Sequence, residues 1–384
     1  MMPIVQSQTV IRKLSLLPIF VVVFISLLLL IPCTKAAGQQ QEIALGTLCA
    51  INLFENGSKQ LGSLSAVYAR IFSRIHEIDQ TMTAHESPVS DVLAINAMAG
   101  IGPVKVRSDV LDVLERALYY AALSGGAFDP TVGPLVQLWG IGTDTPTGAR
   151  SEPAARRGPG LLNRPASHRR PVPNEDEIAA ALELVNWRDL EIDREAGTAF
   201  LRRKGMALDL GAIAKGYAGD EAARIAKAAK VKRAIIDLGG NIVALGWRQP
   251  REFLPWRIGI QNPLDEQRGA YLGILPAHDT SIVTSGVYER YFEYGGKRYH
   301  HLFSTETGYP VENGLLSVTV ITASSTAADA LSMAVFALGY AQGKALIDSL
   351  PGTEAIFVFD DCRVSITAGL HGLFTLTNDA FTVY

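Results

Sequence analysis

Apolar residues recur along the chain at two periods, and each period predicts a different kind of element. Spacings of three and four residues predict helices, and short runs rich in β-branched residues predict strands. The predicted helices are Ala66–Asp79, Ser108–Ser124, Glu177–Val185, Ala214–Ala229 and Ala327–Leu338, and the predicted strands are Leu48–Leu53, Arg233–Asp237, Leu316–Thr322 and Ala355–Phe359. These elements are interspersed without a regular βαβ order, so we predict an α+β fold with mixed, mostly antiparallel sheets and packed helices.

Residues 1–36 have the pattern of a targeting segment. Two basic residues precede an uncharged apolar run from Leu14 to Ile31, and small residues follow at Ala36 and Ala37. This order is typical of a secretory signal peptide, but a run of about eighteen apolar residues can also span a bilayer as an N-terminal anchor. Pro32 precedes Cys33 where a lipoprotein site needs a small residue, so we expect cleavage rather than lipidation.

Both alternatives place the remaining domain, residues 37–384, outside the cytoplasm. We therefore predict an exported, periplasmic protein that is associated with the inner membrane through its N-terminus. Within this domain, residues 142–175 are rich in Pro, Gly and Arg and lack hydrophobic periodicity, which predicts an exposed loop. The loop is either a solvated surface or a basic contact for acidic lipid headgroups.

Composition and charge limit the classes of partner. Of the 384 residues, 48% are hydrophobic and 19% are charged, which is typical of a globular protein with a substantial core. The formal net charge of −3 at pH 7 argues against nucleic acid as a partner, because phosphate backbones are bound by clustered Lys and Arg. Cys49 and Cys362 form either a disulfide in an oxidising compartment or two reduced, packed thiols.

Two glycine-containing segments have the composition of ligand-binding turns. GAFDPTVGPLVQLWG (126–140) contains a turn whose amides can face an anion or a ligand ring, although most such turns are only turns. LDLGAIAKGYAGD (208–220) places Asp209 and Lys215 beside the start of a predicted helix, where free amides and the helix dipole favour a diphosphate. The spacing matches neither a P-loop nor a dinucleotide-binding loop, and Lys215 is otherwise a surface lysine.

A third segment combines hydroxyls, aromatic rings and histidines. It reads SIVTSGVYERYFEYGGKRYHHLFSTETGYPV (281–311). Rings with apolar faces and polar edges suit a flat heterocyclic ligand, which makes Tyr288 and Phe303 candidates for stacking on it. The alternative is a strand hairpin whose aromatic residues alternate between its two faces. A fourth segment, TAADALSMAVFALG (326–339), starts a helix with Asp329 and Met333 one turn apart on the same face.

These motifs, in this order and together with IDLGGNIVALG (236–246), closely resemble the ApbE family of FAD:protein FMN transferases from about Ala44 to the C-terminus. The resemblance implies a T-fold-related α+β domain that binds FAD and uses Mg²⁺ to transfer FMN to a Thr or Ser of an exported flavoprotein subunit, releasing AMP. It implies that seven residues line the flavin nucleotide site: Leu45, Ala127, Phe128, Asp129, Asp209, Lys215 and Phe303. By the same resemblance, the backbone oxygen of Ala212, the carboxylate of Asp329 and the residue at position 333 face the metal.

Attack of a hydroxyl on a phosphoanhydride needs neutralisation of charge and an acceptor for the proton. A divalent cation would spread the charge of the diphosphate, while Asp129, Asp209 and Lys215 would position the nucleotide. His301 is the candidate base and, with Asp209, makes up the candidate catalytic residues. The alternative role of His301 is to orient the flavin or to fill the hairpin.

The sequence departs from the family pattern at three places. Met333 replaces a threonine ligand, and its soft thioether does not favour Mg²⁺, so Ser332, Thr326 or a water would have to supply an oxygen. Ser-Thr at 304–305 replaces the usual Asp-Pro, and Val287 replaces a common aspartate. Two alternatives to FMN transfer therefore stay open: a hydrolase that splits FAD into FMN and AMP, and a non-catalytic periplasmic flavin-binding protein.

Overall fold

The structure, a computed structural model, describes residues 39–54, 64–141, 172–265, 267 and 269–384. The predicted signal or anchor at 1–36 and residues 142–171 of the predicted loop lie outside these ranges. The last residues of that loop, 172–175, lead into a helix that begins at Glu175. From Gln40 to Tyr384 the chain forms one compact unit.

The main sheet is built from strands whose side chains alternate between buried and partly exposed positions. Every second residue from Cys49 to Leu53 is buried in the strand Thr47–Phe54, as the period of two requires. The strand Arg233–Leu238 repeats this alternation. In spatial order, the sheet consists of β1 (Gln39–Ala44), β2 (Thr47–Phe54), β6 (Arg233–Leu238), β7 (Asn241–Leu245), β10 (Thr280–Gly286), β13 (Leu315–Thr322), β14 (Glu354–Phe359), β15 (Arg363–Ile366) and β17 (Thr382–Val383).

Elsewhere in the described ranges, shorter strands form three small sheets. They are β3 (Val104–Lys105), β5 (Thr198–Leu201) and β4 (Leu190–Asp193) in one, β16 (Thr375–Leu376), β9 (Tyr271–Ala277) and β8 (Trp256–Gln261) in another, and β11 (Tyr291–Tyr294) with β12 (Lys297–His300) in the third. The pairings from β2 to β15 in the main sheet are antiparallel, and β15 pairs with β17 in parallel. The observed sheets therefore agree with the predicted antiparallel character.

The strand register defines two ends of the main sheet. At one end Leu238 pairs with Asn241 across the turn Gly239–Gly240, and we call this the Gly239 end. At the other, Phe54 pairs with Arg233, and we call this the Phe54 end. β2 spans eight residues at about 3.3 Å per residue, so the two ends lie roughly 23 Å apart.

Seven helices cover the sheets in the described part of the chain. They are α1 (Leu64–Met82), α2 (Asp91–Ala97), α3 (Ser108–Leu123), α4 (Gly133–Trp139), α5 (Glu175–Leu182), α6 (Ala214–Ala228) and α7 (Ser325–Asp348). α7 packs against β10 and β13, α6 packs against β6, β7 and α7, and α1 packs on α6. In α1 the buried residues Val67, Ile71 and Ile75 recur every four positions and form its inner face.

Helix α7 is the central helix of the core. Of the helices in the described ranges, it is the one long and apolar enough to cross a membrane, but half of its apolar window is buried inside the protein. Ser324 caps its N-terminus by accepting a hydrogen bond from the amide of Ala327. Gly339 interrupts it at φ 75°, where the side chain of Asn313 donates to the carbonyl of Phe336 at 2.6 Å.

The helix boundaries differ from the predicted ones for local reasons. α5 begins two residues earlier than predicted because Asn174 and Glu177 form a reciprocal capping box. α7 continues ten residues beyond the predicted end, past the break at Gly339. Apolar spacing locates a helix reliably, but caps and breaks determine where it begins and ends.

The two cysteines of the domain are free thiols. Cys49 lies on β2, and four strands separate β2 from β14, after which Cys362 lies. At about 4.8 Å per strand, the intervening strands hold the two cysteines much farther apart than a disulfide allows. The disulfide alternative is therefore wrong, and burial raises the pKa of the Cys49 thiol to about 12.

Candidate active site

The start of α6 lies directly against α7 because glycines line the contact. A Cβ added to Gly216 would lie 2.3 Å from the carbonyl oxygen of Ser325 and 2.7 Å from Cβ of Asp329. A Cβ at Gly219 would lie 2.8 Å from Oγ of Ser325. These distances exclude any larger residue, so the GYAG sequence brings the carboxylate of Asp329 to the first turn of α6.

Asp329 changes the hydrogen bonding of that turn. Its side chain is almost fully buried, and Oδ2 accepts a hydrogen bond of 2.8 Å from the amide of Gly216. In a regular helix this amide would donate to the carbonyl four residues earlier, which belongs to Ala212. The carboxylate has taken that donor, and the Ala212 oxygen receives no hydrogen bond from the described residues.

The other oxygen of Asp329 has only one nearby cation among the described residues. Nζ of Lys215 lies 3.9 Å from Oδ1 and 3.5 Å from the carbonyl oxygen of Gly211. The same loop is shaped by Asp209, whose Oδ1 accepts a 2.8 Å hydrogen bond from the amide of Gly211. Four residues that the sequence indicates, Asp209, Ala212, Lys215 and Asp329, are therefore held in one loop and helix junction.

Asp220 holds the start of α7, a role that the sequence did not reveal. Its carboxylate accepts hydrogen bonds from the amides of Ser325 and Thr326 at 2.7 and 3.0 Å and from both Ser324 Oγ and Thr326 Oγ1. Thr326, considered as a source of the missing metal ligand, thus uses its hydroxyl to bond Asp220 at 2.6 Å. Asp220 lies within the 208–220 motif, but the residues that it bonds at the start of α7 are more than 100 positions away in sequence, so the motif alone does not indicate this role.

Position 333 presents a thioether on the turn after Asp329. Met333 is half-buried and packs against two hydrophobic clusters. Its neighbour Ser332 donates to the carbonyl of Asp329 at 2.9 Å. Ser332 has one hydroxyl proton, so in its 2.8 Å bond with Ser285 the donor is Ser285. No described residue donates to the Ser285 hydroxyl, so its oxygen lone pairs stay available, whereas the Ser332 hydroxyl both donates and accepts.

A second group of predicted residues forms a turn assembly around Asp129. Oδ1 of Asp129 accepts from the amide and hydroxyl of Thr131 at 2.8 and 2.7 Å, and Oδ2 accepts from the amide of Trp187 at 2.9 Å. Burial raises the pKa of this carboxyl above its ordinary value. Both oxygens are used within the protein, and they fasten the Trp187 segment to the turn that follows α3.

The turn assembly joins two motifs that are distant in sequence. Thr305 Oγ1 donates to the carbonyl of Gly126 at 2.8 Å, and Trp139 Nε1 donates to the carbonyl of Gly308 at 2.9 Å. Phe303 is 3% exposed and stacks on Trp139 with ring centroids 6.0 Å apart. Of the two residues before Asp129, Phe128 is buried and Ala127 is partly exposed. The Thr305 hydroxyl thus gives the Ser-Thr replacement a structural role.

His301 is held at the base of the β11–β12 hairpin. Its Nδ1 lies 3.2 Å from the carbonyl oxygen of Arg290, to which its backbone amide also donates at 3.1 Å. Nδ1 must carry the proton to bond a carbonyl, so Nε2 has a lone pair. Burial, and then the charge of Arg290, lower the pKa of His301 to about 3, and Lys215 contributes in the same direction.

The neighbouring His300 differs in its bonding. Nε2 bonds the carbonyl of Val311 at 3.0 Å, and Nδ1 accepts from the amide of Leu302 at 3.3 Å. Both ring nitrogens are thereby used, and burial lowers the pKa of His300 to about 4. His300 is a neutral structural residue, and its ring packs edge-on against Phe336.

The remaining predicted residues lie at the Gly239 end of the sheet. Leu45 and Gly46 form the two-residue turn between β1 and β2, with φ of 54° and 67°. A Cβ on Gly46 would lie 3.9 Å from Nη2 of Arg290, which places this turn near the base of the hairpin. Tyr288 follows β10 and lays its ring over the backbone of Gly286.

The sequence match decides the family. The ApbE family model matches residues 45–357, most of the described structure. The chain belongs to the ApbE family. FAD:protein FMN transferase from Treponema pallidum is 35% identical to it over 340 residues, 86% of each chain. A protein of the same name from Klebsiella pneumoniae is 35% identical over 293 residues, covering 76% of this chain and 82% of that one.

Solved structures of the ApbE family have the same fold. The ApbE protein from Thermotoga maritima has a TM-score of 0.72 at 28% identity, over 87% of this chain and 98% of that chain. The apo form of the flavinyl transferase ApbE from Pseudomonas stutzeri has a TM-score of 0.69 at 26% identity, over 90% and 100%. The predicted family, the α+β fold and the enzyme class, a transferase, are confirmed.

Proposed function

We propose that the chain transfers the FMN half of FAD to a threonine or serine hydroxyl of an exported protein, releasing AMP, with Mg²⁺ bound by Ala212 and Asp329. The name of the Treponema and Klebsiella relatives, FAD:protein FMN transferase, supports FAD as the donor and a protein as the acceptor. The observation that carries the proposal is the diverted amide of Gly216, which leaves the Ala212 carbonyl without a donor from the described residues, beside a buried carboxylate.

The side chains and carbonyls present fit a hard cation. Asp329 and Ala212 offer oxygen atoms, and Mg²⁺ accepts few protein ligands because it keeps waters and phosphate oxygens. Within the described ranges no three His, Cys, Asp or Glu side chains converge, so the usual ligand set for zinc is not provided there. When bound, the ion would neutralise charge on the diphosphate of FAD.

The residues around this position supply the remaining chemistry. The acceptor hydroxyl forms a bond to the phosphorus of the FMN half, the bond from that phosphorus to the oxygen of the AMP phosphate breaks, and AMP leaves. His301 Nε2 takes the hydroxyl proton, since none of the described residues donates to its lone pair. Lys215 adds positive charge beside Asp329, and Asp209 fixes the loop that carries Lys215 through the amide of Gly211.

We propose that this reaction takes place outside the cytoplasm. The basic residues, apolar run and small residues of the first 36 positions support export, by a signal peptide or an uncleaved anchor. An anchored chain would act at the inner membrane on acceptor proteins exported to the same compartment. Detection of the chain in periplasmic or membrane fractions, and absence from the cytoplasmic fraction, tests this localisation.

The test of the function is incubation of the purified chain with FAD, Mg²⁺ and an acceptor protein that has a Thr or Ser site. We expect the acceptor to gain the mass of one FMN minus water, with one AMP released per FMN transferred. AMP and free FMN in the absence of acceptor would instead assign a hydrolase. Tight binding of FAD with no Mg²⁺-dependent turnover would assign a flavin-binding protein.

A further inference from the structure

The Phe54 end of the sheet carries an aromatic cluster in which Phe253 and His278 are exposed and Trp247 is partly exposed. We call these three residues the aromatic tip. The Trp247 ring stacks on His278 with centroids 4.0 Å apart and meets Phe253 edge-on at 5.8 Å. Phe253 is 70% exposed. Single exposed apolar residues are common, whereas exposed rings that pack on one another form a contiguous apolar patch of the kind found at protein and membrane contacts.

The backbone holds Phe253 in place at a cost in strain. Its φ is 52°, a conformation that bulky residues rarely adopt. Gln249 and Leu254 exchange two backbone hydrogen bonds of 3.2 Å and close the turn that presents the ring. Trp256 fastens the base of this loop by donating to the carbonyl of Gly246 at 2.8 Å. The Phe253 ring is therefore presented outwards by a turn that backbone hydrogen bonds close.

Cations surround the aromatic tip although the whole chain has a net charge of −3. Arg248 precedes the turn and Arg251 lies within it, and Lys232 and Arg233 lie beside it, since Arg233 donates to the carbonyl of Arg248 at 2.8 Å. Among the described residues, the acidic side chains near the tip are Glu252, Asp279, which accepts a hydrogen bond from the amide of Gly246, and Asp220, whose carboxylate is bonded to the start of α7. The local excess of positive charge complements an anionic surface.

The position of the tip in the fold points to what that surface is. β1 begins at Gln39 and runs antiparallel to β2 through the Leu45–Gly46 turn, so the chain enters the domain at the Phe54 end. The residues of the candidate active site that follow β10, such as His301, lie at the Gly239 end. The tip thus shares an end of the sheet with Gln39, the first described residue, and lies at the opposite end of β10 from the hairpin that carries His301.

We propose that the aromatic tip and its surrounding arginines dock on the surface of an anionic lipid bilayer. Tryptophan and other aromatic rings favour the headgroup region, where an apolar face and a polar edge are both satisfied. Arginines and lysines next to them attract acidic headgroups. Contact at the Phe54 end directs the Gly239 end, with its flavin site, away from the bilayer towards soluble acceptors.

The test uses the full chain, reconstituted in vesicles of phosphatidylglycerol and brominated phosphatidylcholine, with tryptophan fluorescence as the readout. Bromine quenches only rings that reach the lipid. We expect Trp247→Phe to lose most of the quenching and the matched control Trp187→Phe to retain it, because Trp187 belongs to the turn assembly around Asp129. Added salt should reduce the Trp247 contribution, since screening weakens the contact with acidic headgroups.

A charge reversal tests whether the attraction of acidic headgroups holds the tip at the bilayer. Arg248→Glu combined with Arg251→Glu should reduce quenching in anionic vesicles and leave FMN transfer in detergent unchanged, so that failure of this proposal is distinct from failure of the proposed function. Quenching that does not depend on position 247 or on lipid charge would overturn the proposal. A dimer in detergent that Phe253→Ser dissociates would also overturn it and assign the tip to a second copy of the chain.

Discussion

The α6–α7 junction and the turn assembly each contain a buried aspartate, and the two aspartates use their oxygens differently. Asp129 is 7% exposed and accepts three hydrogen bonds, which occupy both of its oxygens. Asp329 is 4% exposed and accepts one from the described residues, and its other oxygen has Lys215 at 3.9 Å. The two carboxylates are buried to a similar extent. They differ in how many further hydrogen bonds or cation contacts their oxygens can still accept.

The two histidines of the hairpin show the same contrast. His300 uses both nitrogens within the protein, whereas His301 uses Nδ1 and keeps Nε2. Asp329 and His301 therefore each keep an oxygen or nitrogen atom that can bind a substrate or a cation, whereas the hydrogen bonds of Asp129 and His300 hold the scaffold together.

The largest effect is expected for Asp329→Asn. The amide can still accept from Gly216, but the negative charge next to Ala212 is lost, so Mg²⁺ binding and its stabilisation of the diphosphate should fail. We expect FMN transfer to fall on the order of 10³-fold, about 4 kcal/mol, with little change in thermal stability. The measurements are the rate of acceptor labelling and the calorimetric affinity for Mg²⁺. Retained Mg²⁺ affinity would exclude Asp329 as a ligand.

His301→Gln should have the next largest effect. Glutamine can donate to the Arg290 carbonyl but cannot take a proton, so we expect transfer to fall about 100-fold, the scale of general base catalysis. Burial lowers the pKa of His301 from 6.5 to about 3, so its imidazole stays neutral in the free wild-type protein over the pH range of the assay. When kcat/KM is measured as the pH falls from about 8 to about 5, protonation of His301 should therefore cause no loss of activity. His300→Gln is not a suitable control variant, because it would disturb the packing of the core.

Asp129→Ala should act on stability rather than on metal binding. The substitution leaves the amides of Thr131 and Trp187 without their acceptor, so we expect a loss of about 2 kcal/mol in the free energy of unfolding. Urea denaturation measures it, and Mg²⁺ affinity should not change. Asp129→Asn keeps one side-chain oxygen as an acceptor, so it should destabilise the protein less than Asp129→Ala and serves as the control. A loss of metal binding without destabilisation would show that the contrast between the two aspartates is wrong.

The sequence predicted the elements and the motifs but not this division of roles. Alternation in β2 and four-residue spacing in α1 are local properties, so both elements can be located from the chain alone. The saturation of Asp129 depends on Trp187, 58 residues away, and the diverted Gly216 amide depends on Asp329, 113 residues away. Such long-range pairs have no local signal, which is why the sequence does not indicate the roles of Asp220 and Ser285.

Met333→Thr should have the smallest effect and the opposite sign. A threonine hydroxyl on the turn after Asp329 would add a hard oxygen, and we expect Mg²⁺ affinity to rise about tenfold, or about 1.4 kcal/mol. The change also removes a side chain that packs against two hydrophobic clusters, at a cost of about 1 to 2 kcal/mol in stability.

Met333→Leu separates these two consequences, because it keeps the packing and offers no oxygen. If the Met333→Thr variant binds Mg²⁺ more tightly than the wild type and the Met333→Leu variant does not, then the wild-type chain lacks an oxygen ligand at position 333. Equal Mg²⁺ affinity in the wild type and the threonine variant would mean that a water or Ser285, whose lone pairs are free, already provides that oxygen. Ser285→Ala would then lower the affinity for Mg²⁺ in the wild-type background. It would not do so in the Met333→Thr background, because the threonine hydroxyl replaces the hydroxyl of Ser285.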